Sequence, residues 1–67
     1  MRYDPSAIRR IRTRRGLDLV GLATKAGISQ RNAYNLDRGL GIPRADTLAS
    51  IARALGVRIT AFFLKAA

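Results

Sequence analysis

Residues 18–39, DLVGLATKAGISQRNAYNLDRG, decide the fold of this chain, because they encode two short helices joined by a glycine turn. Asp18 is a good helix cap, and four apolar residues follow it at the spacing of one helix face: Leu19, Leu22, Ala23 and Ala26. Gly27 ends this helix, since glycine adopts the left-handed conformation at little cost. Ile28 is the apolar residue of the turn, and Ser29 can cap a second helix. The pattern predicts two helices separated by a turn of three or four residues.

The second helix has a polar face of a particular chemistry. At about 100° per residue, an arc of roughly 140° carries five side chains: Gln30, Arg31, Tyr34, Asn35 and Arg38. Guanidinium and carboxamide groups can make bidentate contacts with guanine and adenine edges. The same side chains would also suit a solvated face, so this helix alone leaves both interpretations open. Two short helices joined by a tight turn are the layout of a helix-turn-helix DNA reader.

The composition favours a polyanionic partner. The 67 residues contain 13 Lys and Arg against 4 acidic residues, a formal net charge of +9, although 48% of the residues are hydrophobic. Eleven of the 13 cations are arginine, whose planar fork suits phosphate groups better than the lysine ammonium does. We therefore expect a nucleic acid as the partner.

Several classes of protein are disfavoured by what the sequence lacks. It contains no Cys and no His, so neither a disulfide framework nor a metal or cofactor site is expected, and a reducing cytoplasm is compatible. No apolar run approaches the ~20 residues of a membrane span, and no secretory signal begins the chain. Without His, Cys or Glu, acid–base and nucleophilic catalysis have little support. We expect one cytoplasmic, non-enzymatic domain over residues 1–67, with no membrane partner and no evident small-molecule ligand.

The flanking segments predict further helices. Asp4 as a cap and Pro5 at the first helical position predict a first helix that runs to about Arg15. Arg12 falls near the inward face of this helix, so it needs a carboxylate partner, for which Asp37 fits best. Two glycines and a proline then predict a loop from residue 38 to residue 45.

Apolar spacing predicts two more helices near the C-terminus. The fourth helix carries apolar residues at offsets of 3, 4 and 7 and ends at Gly56: Leu48, Ile51, Ala52 and Leu55. A short fifth helix is expected near residues 59–65, with one of Phe62 and Phe63 in the core and the other exposed.

Taken together, the chain resembles the Cro/lambda-repressor-like helix-turn-helix family over nearly its full length. The most specific residues of the resemblance are Leu22, Ala23, Gly27, Ile28, Leu36, Asp37, Arg38, Gly39, Pro43, Leu48, Ala52, Leu55, Gly56 and Val57. The resemblance implies an all-α, compact five-helix domain with its helix-turn-helix at about residues 18–38. It also implies that the third helix, residues 30–38, enters the major groove, commonly as part of a dimer.

The resemblance also implies roles for individual residues. Gln30, Arg31 and Asn35 match the positions that read bases, with Asn32 as a weaker candidate. Contacts to the DNA backbone are expected from Arg10, Arg14, Tyr34, Arg38 and Arg44, of which Arg38 and Arg44 match loop positions of the family. Arg12 and Asp37 match an Arg and Glu pair of the family, and we expect a structural ion pair.

Two of the residues that depart from the family pattern lie in the first helix of the helix-turn-helix. Leu19 stands where a glutamine often anchors a phosphate, so either that contact is absent or backbone N–H groups at the helix start take its role. Gly21 costs about 1 kcal/mol of helix propensity relative to Ala. It therefore suggests a close approach, either of the DNA backbone or of a neighbouring chain, although a tolerant surface site is an equal alternative.

The leading functional hypothesis is a small bacterial or phage transcriptional regulator that binds double-stranded DNA as a homodimer. We expect a repressor on a palindromic operator. Candidates for the dimer surface are Leu40, Ile42, Phe62, Phe63 and Leu64. One alternative is a DNA-binding antitoxin or partner-binding module whose C-terminal aromatic segment packs on another protein. Another is a non-specific architectural or RNA-binding protein, which would show a specificity ratio near one.

Overall fold

The computed structural model describes residues 2–64, which form a small helical domain with one short sheet. The elements in chain order are β1 (Arg2–Tyr3), α1 (Ala7–Arg14), α2 (Leu19–Ala26), α3 (Gln30–Asp37), α4 (Ala45–Leu55), a 3-10 helix (Ile59–Phe62) and β2 (Phe63–Leu64). The all-α, helix-turn-helix class predicted from the sequence is confirmed, with four α-helices and a 3-10 turn in place of five helices.

The α2–turn–α3 unit forms with the caps that the sequence predicts. The Asp18 carboxylate accepts a hydrogen bond from the Gly21 amide at 2.7 Å, and the Ser29 hydroxyl accepts one from the Asn32 amide at 3.0 Å. Gly27 ends α2 in the left-handed conformation with φ 69°. These caps satisfy amide groups that a helix start leaves without partners, so they define where each helix begins.

Gly21 is explained by the chain itself. A Cβ atom at this position would lie 3.0 Å from the Asp18 carboxylate oxygen and 3.0 Å from the Leu17 Cδ1 atom. The close approach comes from the cap of α2 and the residue before it. A contact with DNA or with another chain is therefore not needed to account for this glycine.

The start of α1 differs from the prediction. The helix begins at Ala7 and ends at Arg14, whereas a start at Pro5 was expected. Asp4 accepts hydrogen bonds from the Ser6 amide at 3.0 Å and the Ser6 hydroxyl at 2.8 Å. Asp4 and Pro5 therefore belong to a turn in front of α1 rather than to its first helical residues.

The core lies where α2 contacts both α3 and α4. Its largest fully buried side chains are Ile8 of α1, Leu22 of α2, Ile51 of α4 and Phe62 of the 3-10 helix. Ala33 and Leu36 of α3 belong to the same buried cluster, so the orientation of α3 depends on the packing of the whole domain. None of the helices within residues 2–64 has the length and apolar character needed to cross a membrane.

The C-terminal segment corrects two predictions. The fifth helix is a 3-10 helix that stops at Phe62, and Phe63 and Leu64 then pair antiparallel with Tyr3 and Arg2. Residue 65 of the predicted helix lies outside the described residues. Phe62 is completely buried, so it belongs to the core and cannot be part of a dimer surface. Phe63 is half-buried, with its ring edge against Tyr3.

Candidate nucleic-acid interface

The exposed face of α3 carries the side chains that the helical period predicts for it. Gln30, Arg31, Tyr34 and Arg38 are exposed and Asn35 is partly exposed, while Ala33 and Leu36 are buried on the opposite side. The face therefore presents guanidinium, carboxamide and phenol groups together, with the apolar residues of the same helix turned into the core. Such a surface can donate and accept hydrogen bonds along the floor of a major groove.

Asn32 lies at the edge of this face. Together with Arg44, it lines a shallow groove of about 250 Å³ beside the loop that joins α3 to α4. Asn32 therefore borders the α3–α4 loop. Base reading by Asn32 stays a prediction.

A buried ion pair fixes the C-terminal end of α3 against α1. The Asp37 side chain is only 2% exposed and accepts hydrogen bonds from Arg12 Nε at 2.7 Å and Arg12 Nη2 at 3.2 Å. Arg12 also donates to the Leu17 carbonyl at 2.8 Å, which joins the α1–α2 connection to the same cluster. Planar bidentate pairing of this kind restricts the orientation of both side chains. It thereby holds the exposed face of α3 in place.

The second arginine on Asp37 was missed from the sequence. Arg9 Nε lies 3.3 Å from Asp37 Oδ2, although most of the Arg9 side chain is exposed. Arg9 and Arg12 are three residues apart on α1, a spacing that puts two side chains on neighbouring positions of one helix face. That spacing is the signal by which Arg9 could have been found.

Tyr34 of α3 and Arg38, which directly follows the last residue of α3, form a cation–π pair. The Arg38 guanidinium carbon lies 5.2 Å from the centroid of the Tyr34 ring, and Arg38 Nη1 donates to the Tyr34 hydroxyl at 3.3 Å. The Tyr34 side chain remains exposed in this arrangement. The four-residue spacing permits such a pair on any helix.

The other expected DNA-backbone residues have different environments. Arg10 Nη2 lies 2.9 Å from an Asp4 oxygen, and Arg44 Nη2 lies 3.3 Å from an Asp46 oxygen at the exposed start of α4. Arg14 is exposed in the last turn of α1. Arg10 and Arg14 lie four residues apart on α1, whereas Arg44 precedes α4, and their contacts with the DNA backbone stay predictions.

The environment of Asp4 favours its charged form. Hydrogen bonds from the Ser6 hydroxyl and amide, and then the hydrogen bond and charge of Arg10, hold the Asp4 pKa below its ordinary value of 3.8. The neighbouring Tyr3 has a raised pKa, because it is partly buried and because the Asp4 charge lies nearby. Arg10 therefore faces a carboxylate that stays ionised at neutral pH.

The expected dimer residues lie on two segments. Leu40 and Ile42 are exposed in the α3–α4 loop, Ile42 to 78%, and Leu64 is exposed at the end of β2. Ile42 and Tyr3 line a common groove of about 530 Å³, so the loop lies next to the short sheet.

The fold and the α3 surface define a helix-turn-helix regulator that binds DNA. The chain belongs to the Cro/C1-like helix-turn-helix family: the family model described as helix-turn-helix (HTH_3) matches residues 8–62. Members of this class are DNA-binding transcription regulators, and double-stranded DNA is the partner.

Solved structures that are similar to this chain include two regulators. The restriction-modification controller protein C.AhdI from Aeromonas hydrophila has a TM-score of 0.83 at 24% identity, covering 88% of this chain and 89% of that one. The clp gene regulator ClgR from C. glutamicum has a TM-score of 0.77 at 30% identity, covering 84% of this chain and 73% of that one. A search of the curated proteins finds no match.

Proposed function

We propose that this protein is a sequence-specific bacterial or phage repressor that binds a palindromic operator as a homodimer. In this proposal α3 enters the major groove, with Gln30, Arg31 and Asn35 reading base edges. The observation that carries the proposal is the division of α3 into an exposed polar face and a buried apolar face. The buried Arg12–Asp37 pair supports it, because a reading helix has to be held in one orientation.

The charge distribution supports binding to the DNA backbone. All four aspartates already have roles within the fold: Asp4 pairs with Arg10, Asp18 caps α2, Asp37 pairs with Arg12, and Asp46 pairs with Arg44. Within residues 2–64, no carboxylate is therefore left without a partner in the fold, and the chain carries a net charge of +9. Arginines on phosphates displace condensed counterions, so the affinity should fall steeply with salt concentration.

Repression would follow from occupancy alone. A bound dimer that overlaps a promoter excludes polymerase, and this requires neither an enzymatic step nor a cofactor. Two similar structures are described as a controller protein and as a gene regulator, which supports gene regulation as the role.

The dimer is the second part of the proposal. Two copies related by a two-fold axis would place their α3 helices in successive major grooves, with half-site centres roughly 34 Å apart. Leu40, Ile42, Phe63 and Leu64 are the residues available for such a contact. Sedimentation of the protein on its selected duplex should give two chains per site, and one chain per site would contradict this part.

The base-reading role is tested by comparing Arg31→Ala with Arg53→Ala. Both residues are exposed arginines, so each variant removes one positive charge, but Arg53 lies in the last turn of α4. Arg31→Ala should cost about 1–3 kcal/mol on the preferred duplex and relax the preference at one base pair, as loss of a bidentate contact does. Arg53→Ala should leave the base preference unchanged. Equal loss by Arg31→Ala on every sequence would refute base reading by this residue.

A further inference from the structure

Arg38 is held at the C-terminal end of α3 by an aromatic ring rather than by a carboxylate. Its guanidinium carbon lies 5.2 Å from the Tyr34 centroid, and its Nη1 donates to the Tyr34 hydroxyl at 3.3 Å. Helical side chains point toward the N-terminus of their helix, so Arg38 reaches back over the preceding turn. This places its charge next to the exposed face that contains Arg31 and Asn35.

The neighbouring carboxylate, that of Asp37, already pairs with two other arginines. Asp37 Oδ1 lies 2.7 Å from Arg12 Nε, and Asp37 Oδ2 lies 3.2 Å from Arg12 Nη2 and 3.3 Å from Arg9 Nε. Within residues 2–64, no ion pair forms between Arg38 and any carboxylate. The positive charge of Arg38 thus remains available to an anion from outside the chain.

We propose that Tyr34 is a positioning residue, whose ring holds the Arg38 guanidinium so that its remaining N–H groups bind one DNA phosphate. The proposal rests on the DNA-binding function proposed above. In it, Tyr34 raises the affinity for DNA by holding Arg38 in position, and not by a direct contact between Tyr34 and DNA. A flexible arginine loses rotamer freedom when it binds, and a stacked arginine has lost part of it already. An exposed cation–π pair corresponds to about a two- to five-fold effect on affinity.

The test is a double-variant cycle on the full chain, with binding to its selected duplex measured by fluorescence anisotropy across a salt series. Tyr34→Leu should weaken binding about two- to five-fold, and Tyr34→Phe, which keeps the ring, should restore most of that loss. Arg38→Ala should weaken binding further and lower the slope of log K against log salt by about one phosphate equivalent for each bound chain. Because Tyr34 is half exposed, these variants should fold, which circular dichroism can verify.

The decisive comparison is Tyr34→Leu in the Arg38→Ala background. If Tyr34 acts through Arg38, the second substitution costs nothing more. The same loss in both backgrounds would show that Tyr34 touches DNA itself and would overturn the inference. No loss from Tyr34→Leu in either background would overturn it as well.

The phosphate that Arg38 contacts can be identified by replacing single phosphates of the duplex with an uncharged group. Methylphosphonate placed singly along the duplex should reveal one position in each half-site at which the natural protein loses affinity and Arg38→Ala does not. Absence of any such position overturns the inference while leaving DNA binding intact. A natural protein that prefers no duplex overturns the proposed function, and the inference with it.

Discussion

Replacing Asp37 with Asn should remove much of the stability of the domain. The change keeps the side-chain volume but removes the charge that faces Arg12 at 2.7 and 3.2 Å and Arg9 at 3.3 Å. Breaking one side of a buried ion pair costs about 3–5 kcal/mol. The lower end applies here, because Arg12 is 16% exposed and retains its hydrogen bond to the Leu17 carbonyl.

The size of this loss is large for so short a chain. Domains have about 0.05–0.15 kcal/mol of stability per residue, so ~3 kcal/mol is a large share of the total. With an m-value of about 1 kcal/mol/M, it lowers the urea midpoint by about 3 M. The assay is urea unfolding followed by circular dichroism at neutral pH, for Asp37→Asn and for the natural protein.

Asp46→Asn is the matched control. It removes the same charge, but from a side chain that is 70% exposed and paired with an exposed Arg44. Such surface pairs contribute about 0–1 kcal/mol. Equal urea midpoints for the two variants would refute the reasoning. They would show that breaking the buried Arg12–Asp37 pair costs no more stability than breaking an exposed pair.

Three further predictions concern the N-terminal turn, the end of α3 and the core. Because the pKa of Asp4 is lowered from 3.8, its carboxylate stabilises the fold above that pH, and the contribution is lost as the pH falls below it. The Asp4→Asn variant should therefore be less stable than the natural protein at neutral pH. This difference should close in unfolding curves measured at acid pH. Gly39→Ala should cost more stability in urea than Gly16→Ala. Both glycines have positive φ, so both substitutions strain the backbone. Only at Gly39 would the new Cβ also meet a neighbour, the Pro5 carbonyl oxygen at 3.1 Å, since a Cβ at Gly16 meets nothing within 4 Å. Equal losses would contradict this steric argument. Phe62→Ala should cost about 3–5 kcal/mol in thermal unfolding, and a loss below 1 kcal/mol would contradict its place in the core.

The helices were predictable because their ends are encoded locally. Asp18, Ser29 and the glycines at 27 and 56 mark the ends of α2, α3 and α4, and the structure places each of them at a cap. The apolar spacing of α4 likewise gave the residues that are buried. A cap or a helical period involves residues only a few positions apart, so the sequence shows it directly.

The short sheet could not be predicted in the same way. Arg2 pairs with Leu64 and Tyr3 with Phe63, so strands of two residues meet from opposite ends of the chain. A run such as Phe62, Phe63 and Leu64 suits a helix as well as a strand, because so few residues define no period. Tertiary pairing decides between the two, and it is invisible in the local sequence.

The candidate site was predictable to a similar degree. The helical period places Gln30, Arg31 and Asn35 on one exposed face, and the structure has them there. The four-residue spacing of Tyr34 and Arg38 allows a pair, but the rotamers that bring the guanidinium over the ring appear only in the structure. Contacts with bases and phosphates stay predictions.

The most direct test of the central claim is selection of bound duplexes from a randomised DNA pool, with the natural protein and with Asn35→Ala. Sequence reading by the exposed face of α3 predicts a palindromic motif whose preference changes at a defined position in each half-site when the carboxamide is removed. Tight, salt-sensitive binding without any enriched motif would contradict the claim, because the protein would then recognise the charge of DNA alone.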